Sequence, residues 1–160
     1  MLTTTLAELA EFPARLARTF QAIPSARRNW QPDSWEGIPS EQFAPLSQLC
    51  HVRDIEIDGY HVRLKRMLEE RSPHLESLDG YELARQRDYE NENSATVLAT
   101  ISAARERTLV IVRSLTEAQL SRTGHFEGHE LTVKGLIHLL CSHDQQHLAG
   151  LQWLLARMEG

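Results

Sequence analysis

The last quarter of the chain constrains the fold most. From Val133 to Met158 there is no proline, and Leu136, Leu140, His143, His147, Leu151 and Leu154 recur in steps of 4, 3, 4, 4 and 3. Those steps keep one face of a helix pointing in a single direction, so the segment predicts a long amphipathic helix burying one stripe. Two positions of that apolar stripe are histidines. The same periodicity marks Leu2, Leu6, Leu9, Phe12, Leu16, Phe20 and Ile23 as a first helix, with Pro13 expected to kink or interrupt it near Phe12.

Prolines gather in the first half, at Pro24, Pro32, Pro39, Pro45 and Pro73. The stretch from Arg27 to Ala44, with Trp30 and Trp35, reads as a long loop that either covers a site or closes one end of the core. Pro45 suits a first helical turn, and a second helix is expected from there to Ser72. A short helix is expected around Tyr81 to Arg87, and a third long helix from about Tyr89 to Ser114, with Val97, Leu98, Ile101, Leu109 and Val112 inward. Thr116 and Gln119 have capping-box spacing, and the loop from Arg122 to Glu130 precedes Thr132, a good N-cap for the last helix. No run alternates like a strand, and no repeat of 20 to 50 residues is visible. The expectation is an all-α chain in which residues 1–160 form a single domain. Its architecture is a four-helix bundle with short extra helices and a long loop between the first two long helices.

Composition narrows the function classes. With 17 Lys and Arg against 22 Asp and Glu the net charge is −5, which gives no basic field for nucleic acid or an anionic membrane surface. The longest stretches free of charged residues are 12 residues, Asn93 to Ala104 and Gln145 to Ala156, too short to span a bilayer. The N-terminal segment carries Glu8 and Glu11 where a signal peptide needs an apolar run, so a cytoplasmic protein is expected. Cys50 and Cys141 form no C-x-x-C and read as core thiols, Cys50 falling on the apolar stripe of the second helix.

Eight histidines are the compositional oddity. His143 and His147, four apart on one helix, can aim both imidazoles at a common point, the spacing with which a helix offers a metal two nitrogens. The competing reading is a pair of inward histidines hydrogen-bonded to protein groups. Asp144 stands where a zinc protease of the H-E-x-x-H type has its glutamate, which disfavours protease chemistry and leaves no catalytic side chain to name. A third ligand is needed. His138 lies about 140° around the helix and should face elsewhere. His125 and His129 sit in the preceding loop, His61 and His74 read as surface groups, and periodicity expresses only a preference for His51. Asp54, Glu56 and Asp144 either orient a ligand imidazole through its other nitrogen or, as the expectation goes, stand as solvated charges. Arg105 either meets an anionic substrate group or pairs with an acid inside the bundle.

Together these segments resemble the DinB-like (damage-inducible, YfiT-like) superfamily. The resemblance covers nearly the whole chain. It is carried by H-x-x-D-x-E at His51, Asp54 and Glu56, by Arg105 ten residues before Leu115, by the loop residues His125, Gly128 and Thr132, and by H-D-x-x-H at His143, Asp144 and His147. The resemblance implies a four-helix bundle, usually dimeric, with a divalent metal, zinc or nickel, held by His51, His143 and His147. It further implies metal-dependent thiol transfer or isomerisation of a small-molecule substrate, with a low-molecular-weight thiol as cofactor; a metal that lowers the pKa of a bound water adds hydrolysis as a reaction class. The site is expected at one end of the bundle with open coordination positions. The rival classes are a non-catalytic protein that holds a metal or sequesters a small molecule under Trp30 and Trp35, and a metal-free interaction protein. The loop from Gly37 to Ala44 and the position of Gly128 depart from the family pattern, both on the rim where a substrate would be chosen.

Overall fold

The computed structural model describes residues 2–159. Four helical rods carry the fold. The first is α1 (Thr3–Gln21), which buries Leu9, Phe12, Leu16 and Phe20 on one face. The second is α2 (Pro45–Asp54), a π-helical turn (Ile55–Tyr60) and α3 (His61–Glu69) in direct succession, with Pro45 in its first turn as expected. The third is α5 (Ser94–Arg113) and the fourth α7 (Val133–Glu159). Two short helices, α4 (Gly80–Gln86) and α6 (Glu117–Leu120), lie between them, and α6 carries the Thr116–Gln119 capping box.

Helix α1 continues through Pro13 without interruption. Proline has no N–H, so the carbonyl four residues earlier, that of Leu9, loses its helical donor. Arg105 supplies the replacement, donating from Nη1 to the Leu9 oxygen at 2.7 Å. The third long helix begins five residues later than the apolar pattern suggested. Asn93 caps it by accepting from the Thr96 amide, while Tyr89–Asn91 forms a separate 3₁₀ turn after the left-handed Asp88.

The expectation of no strands is corrected. Residues β2 (Thr123–Phe126) and β3 (His129–Thr132) form an antiparallel hairpin, and β1 (His74–Leu75) adds to β2 in parallel. The hairpin turns on Glu127 and Gly128, both with positive φ, 51° and 81°. Two left-handed residues in succession match the right-handed twist of the strands they join. Thr132 then caps α7 by accepting from the Gly135 amide at 3.0 Å.

The core is in two parts. One apolar cluster gathers Leu9, Ile55, Leu64, Met67, Leu109, Leu136 and Leu140. The other gathers Phe12, Leu16, Leu49, Cys50, Ile101, Leu148, Leu151 and Leu154. Between them, at mid-height on three of the four rods, runs a polar layer: Glu56 on the second, Arg105 on the third, and His143, Asp144 and His147 on the fourth. Trp35 stacks on Trp153 with ring centroids 6.3 Å apart, and with Trp30 it packs against the second cluster, so the tryptophans close the core. Among the described residues no helix is long and apolar enough to cross a membrane.

Candidate metal centre

The structure brings His51 from α2 together with His143 and His147 from α7, 92 residues away in sequence. His51 is 2% exposed, His147 fully buried and His143 half-buried. Ring centroids lie 4.7 Å apart for His51 and His147, 5.3 Å for His51 and His143, and 4.4 Å for His143 and His147. The Nε2 atoms of His51 and His143 are 3.3 Å apart. The cluster lies in the mid-height polar layer, not at an end of the bundle, because α7 places His143 and His147 between Leu140 and Leu148 of the two apolar clusters.

A fourth group, absent from the sequence reading, completes the set. Glu41, on the loop before α2, sets Oε2 3.1 Å from His147 Nε2 and Oε1 3.5 Å from His51 Nε2. One donor atom from each of Glu41, His51, His143 and His147 lies within 4.8 Å of the others. Gln48 fixes this corner. Its Nε2 donates to the backbone carbonyls of Glu41 and Phe43, at 3.2 and 3.1 Å, and lies 3.0 Å from Ser40 Oγ. Two carbonyls leave no choice about which end of the amide is the nitrogen. Gln48 Oε1 must therefore accept a proton from His147 Nδ1.

That assignment decides the chemistry of the cluster. With its proton on Nδ1, neutral His147 presents a lone pair at Nε2, a buried atom with no aligned hydrogen bond, and this lone pair faces the Glu41 carboxylate. Burial pushes His147 below its ordinary pKa, and burial followed by the neighbouring His147 and His51 pushes His143 well below. His143 and His147, held neutral by burial, converge with His51 and the Glu41 carboxylate on one point, a donor set that a divalent cation fits.

Close backbone packing positions His51. A Cβ on Gly80 would stand 2.6 Å from its Cε1 and 2.7 Å from Nδ1, while the Phe43 ring, 4.9 Å away between centroids, packs on the imidazole as well. Gly80→Ala is therefore expected to displace the ring or unseat α4, at a cost of about 1–3 kcal/mol in urea unfolding, with a shifted His51 Cε1–H resonance. An unmoved resonance at unchanged stability would count against this account.

The remaining sequence candidates divide. Asp54, Glu56 and Asp144, expected in solvent, are all buried. Asp54 accepts from Tyr89 Oη at 2.6 Å and pairs with Arg53 and Arg87. Glu56 receives Arg105 in a fork, Nε to Oε1 at 2.9 Å and Nη2 to Oε2 at 3.1 Å, and Asp144 Oδ2 lies 2.8 Å from the same Nη2. Arg105 thus pairs with acids inside the bundle. None of these acids contacts an imidazole of the cluster. His61, expected at the surface, is 8% exposed with Nε2 2.9 Å from Thr108 Oγ1, which itself donates to Glu56. His74 is exposed and stacks on His125 away from the cluster, and His138 is exposed with Nδ1 3.1 Å from Thr5 Oγ1. Cys50 is buried and both cysteines are free thiols.

A cavity of about 440 Å³ opens beside the cluster, with Glu41, His51 and His143 on its wall together with Tyr60, Arg63 and Phe126. Neither Trp30 nor Trp35 lines it.

A four-rod helical bundle with a buried cluster of imidazoles and one carboxylate beside a small cavity defines the class. The sequence profile of the DinB superfamily matches residues 8–151, and the chain belongs to that superfamily. Among solved structures it is similar to YfiT from Bacillus subtilis, at 20% identity and a TM-score of 0.86, over 98% of this chain and 87% of that one. YfiT is described as a probable metal-dependent hydrolase with an unusual four-helix bundle topology, and the likeness shows that this chain shares the fold. No curated protein is similar enough to this chain to match it.

Proposed function

We propose that the protein is a metal-dependent enzyme acting on a small molecule. In this reading His51, His143 and His147 hold a divalent ion, zinc or nickel, with Glu41 as the fourth group. The observation that carries it is the His147 Nε2 lone pair, buried, aimed at the Glu41 carboxylate and fixed in that tautomer by Gln48. A divalent ion there supplies Lewis acidity and lowers the pKa of a bound water or thiol.

The chain's own residues supply the rest. Glu41 sits on a loop, half-exposed at the cavity wall, so the fourth group of the set borders the space a substrate would enter. Burial keeps the Tyr60 hydroxyl protonated well above neutral pH, so it serves the cavity as a hydrogen-bond donor. Hydrolysis, the class in YfiT's description, and transfer of a low-molecular-weight thiol both fit this arrangement, since each needs a deprotonated nucleophile beside a polarised electrophile.

Elemental analysis of protein purified without a metal-binding tag tests the reading. One equivalent of zinc or nickel is expected, lost in His51→Ala, His143→Ala and His147→Ala alike. Full metal content in His147→Ala overturns it. A screen of small thiols against electrophiles, with and without the metal, then separates transfer from hydrolysis.

A further inference from the structure

Two arginines are buried among the described residues, and their surroundings differ in kind. Arg105 has Glu56 and Asp144. Arg63, 5% exposed on α3, has no carboxylate within ion-pairing distance. Its Nε and Nη2 both donate to the Glu76 carbonyl, at 3.1 and 3.0 Å, and its guanidinium lies 4.4 Å from the Phe126 ring centroid and 5.3 Å from that of Tyr60. Nη1 has no acceptor among the described residues. Glu127, an acid on the same wall, has Oε1 occupied by the Ser77 hydroxyl at 2.7 Å. A buried guanidinium without an anion is costly to keep charged, and burial does push Arg63 below its ordinary pKa.

Arg63 is also the one lysine or arginine on the cavity wall that carries Glu41, His51 and His143. Tyr60 spans the interval between the two features: its ring is 5.3 Å from the Arg63 guanidinium and 6.2 Å from the His143 ring. Ile55, Leu78, Leu131 and Leu139 add apolar surface to the rest of the wall, interspersed with polar side chains that include Glu127 and His129.

We propose that Arg63 is an anion-recognising residue, and that the cavity takes a small molecule with an oxyanion, a carboxylate or phosphonate, on an apolar or aromatic body. The oxyanion meets Arg63, the body lies along Phe126 and Tyr60, and the far end reaches the imidazole cluster. A guanidinium edge suits such an oxygen acceptor, and stacking on Phe126 holds its plane. That this ligand is the substrate rests on the metal-enzyme reading; that Arg63 binds an anion does not.

The test is a titration of the full-length ¹⁵N-labelled protein with phenylacetate, phenylphosphonate and neutral 2-phenylacetamide, each in EDTA and again with zinc. We expect a saturable shift of the Arg63 Nε–H resonance by one or both anions at millimolar concentration, already in EDTA, with 2-phenylacetamide at least tenfold weaker. Arg63→Gln is expected to lose tenfold or more in anion affinity and little for the amide. Because Arg63 also tethers the Glu76 carbonyl, the wild-type resonance decides the matter should the variant fail to fold. Anion binding that needs zinc and leaves the Arg63 resonance unmoved overturns the proposal while supporting the metal site. No binding in either condition overturns it as well. Arg63-dependent binding in a protein that takes up no metal sustains it and removes the metal-enzyme reading instead.

Discussion

Replacing Arg105 with methionine is expected to destabilise the metal-free protein by about 3–5 kcal/mol, read from urea unfolding. The guanidinium is 1% exposed and touches all four rods: the Leu9 carbonyl on α1, Glu56 in the π-helical turn, its own helix α5 and Asp144 on α7. Methionine fills most of the volume, so the loss is electrostatic. Glu56 would stay buried, keeping only the Thr108 hydroxyl at 2.6 Å, and the Leu9 carbonyl, already without a helical donor because of Pro13, would lose its replacement. Burial pushes Asp144 up to about 8 against the pull of Arg105. Removing the cation leaves the buried Glu56 carboxyl without its charged partner. Adding Glu56→Gln to Arg105→Met should recover a large part of the loss, because a neutral amide tolerates the site better than an orphaned carboxylate. A loss below about 1 kcal/mol for Arg105→Met alone would show that the layer is far wetter than its burial implies.

What the sequence made legible follows from what periodicity can carry. The stripe through Leu136, Leu140, Leu151 and Leu154 placed His143 and His147 inward without any structure, and the buried cluster is where that stripe put them. Asp54, Glu56 and Asp144 escaped because a charge is read as solvated unless its partner is in view, and apart from Arg53 beside Asp54 each partner sits on another element. Asp54 and Tyr89 are 35 residues apart, Arg105 and Glu56 49. No local window holds both halves. His61 escaped for a different reason: the π-helical turn from Ile55 to Tyr60 holds more residues per turn than an α-helix, so faces assigned at 100° per residue slip out of phase beyond it. The hairpin was hidden by Glu127 in a position where asparagine or aspartate would have announced a two-residue turn. Glu41 lies in a loop with no period at all. Its signal was only the length of the Gly37–Ala44 segment leading into the helix that bears His51.

Glu41→Gln is expected to separate the cost of the cluster from its use. Without metal, the Glu41 carboxylate confronts the His147 Nε2 lone pair at 3.1 Å, two acceptors held together because Gln48 keeps the imidazole proton on Nδ1 and grips the Glu41 carbonyl. A glutamine amide would place a donor against that lone pair. The EDTA-treated variant is therefore expected to equal wild type or exceed it by about 1 kcal/mol, the net worth of one satisfied hydrogen bond. With zinc the order should reverse. At a free concentration 100 times its dissociation constant, zinc stabilises wild type by about 2.7 kcal/mol, whereas a variant binding 100-fold more weakly would gain only about 0.4 kcal/mol at the same concentration. Unfolding curves of both proteins in EDTA and in buffered zinc read all four values. If Glu41→Gln instead loses more than about 1 kcal/mol in EDTA and keeps the full zinc gain, the contact is an imidazolium–carboxylate ion pair, and the donor set must be sought among the three histidines alone.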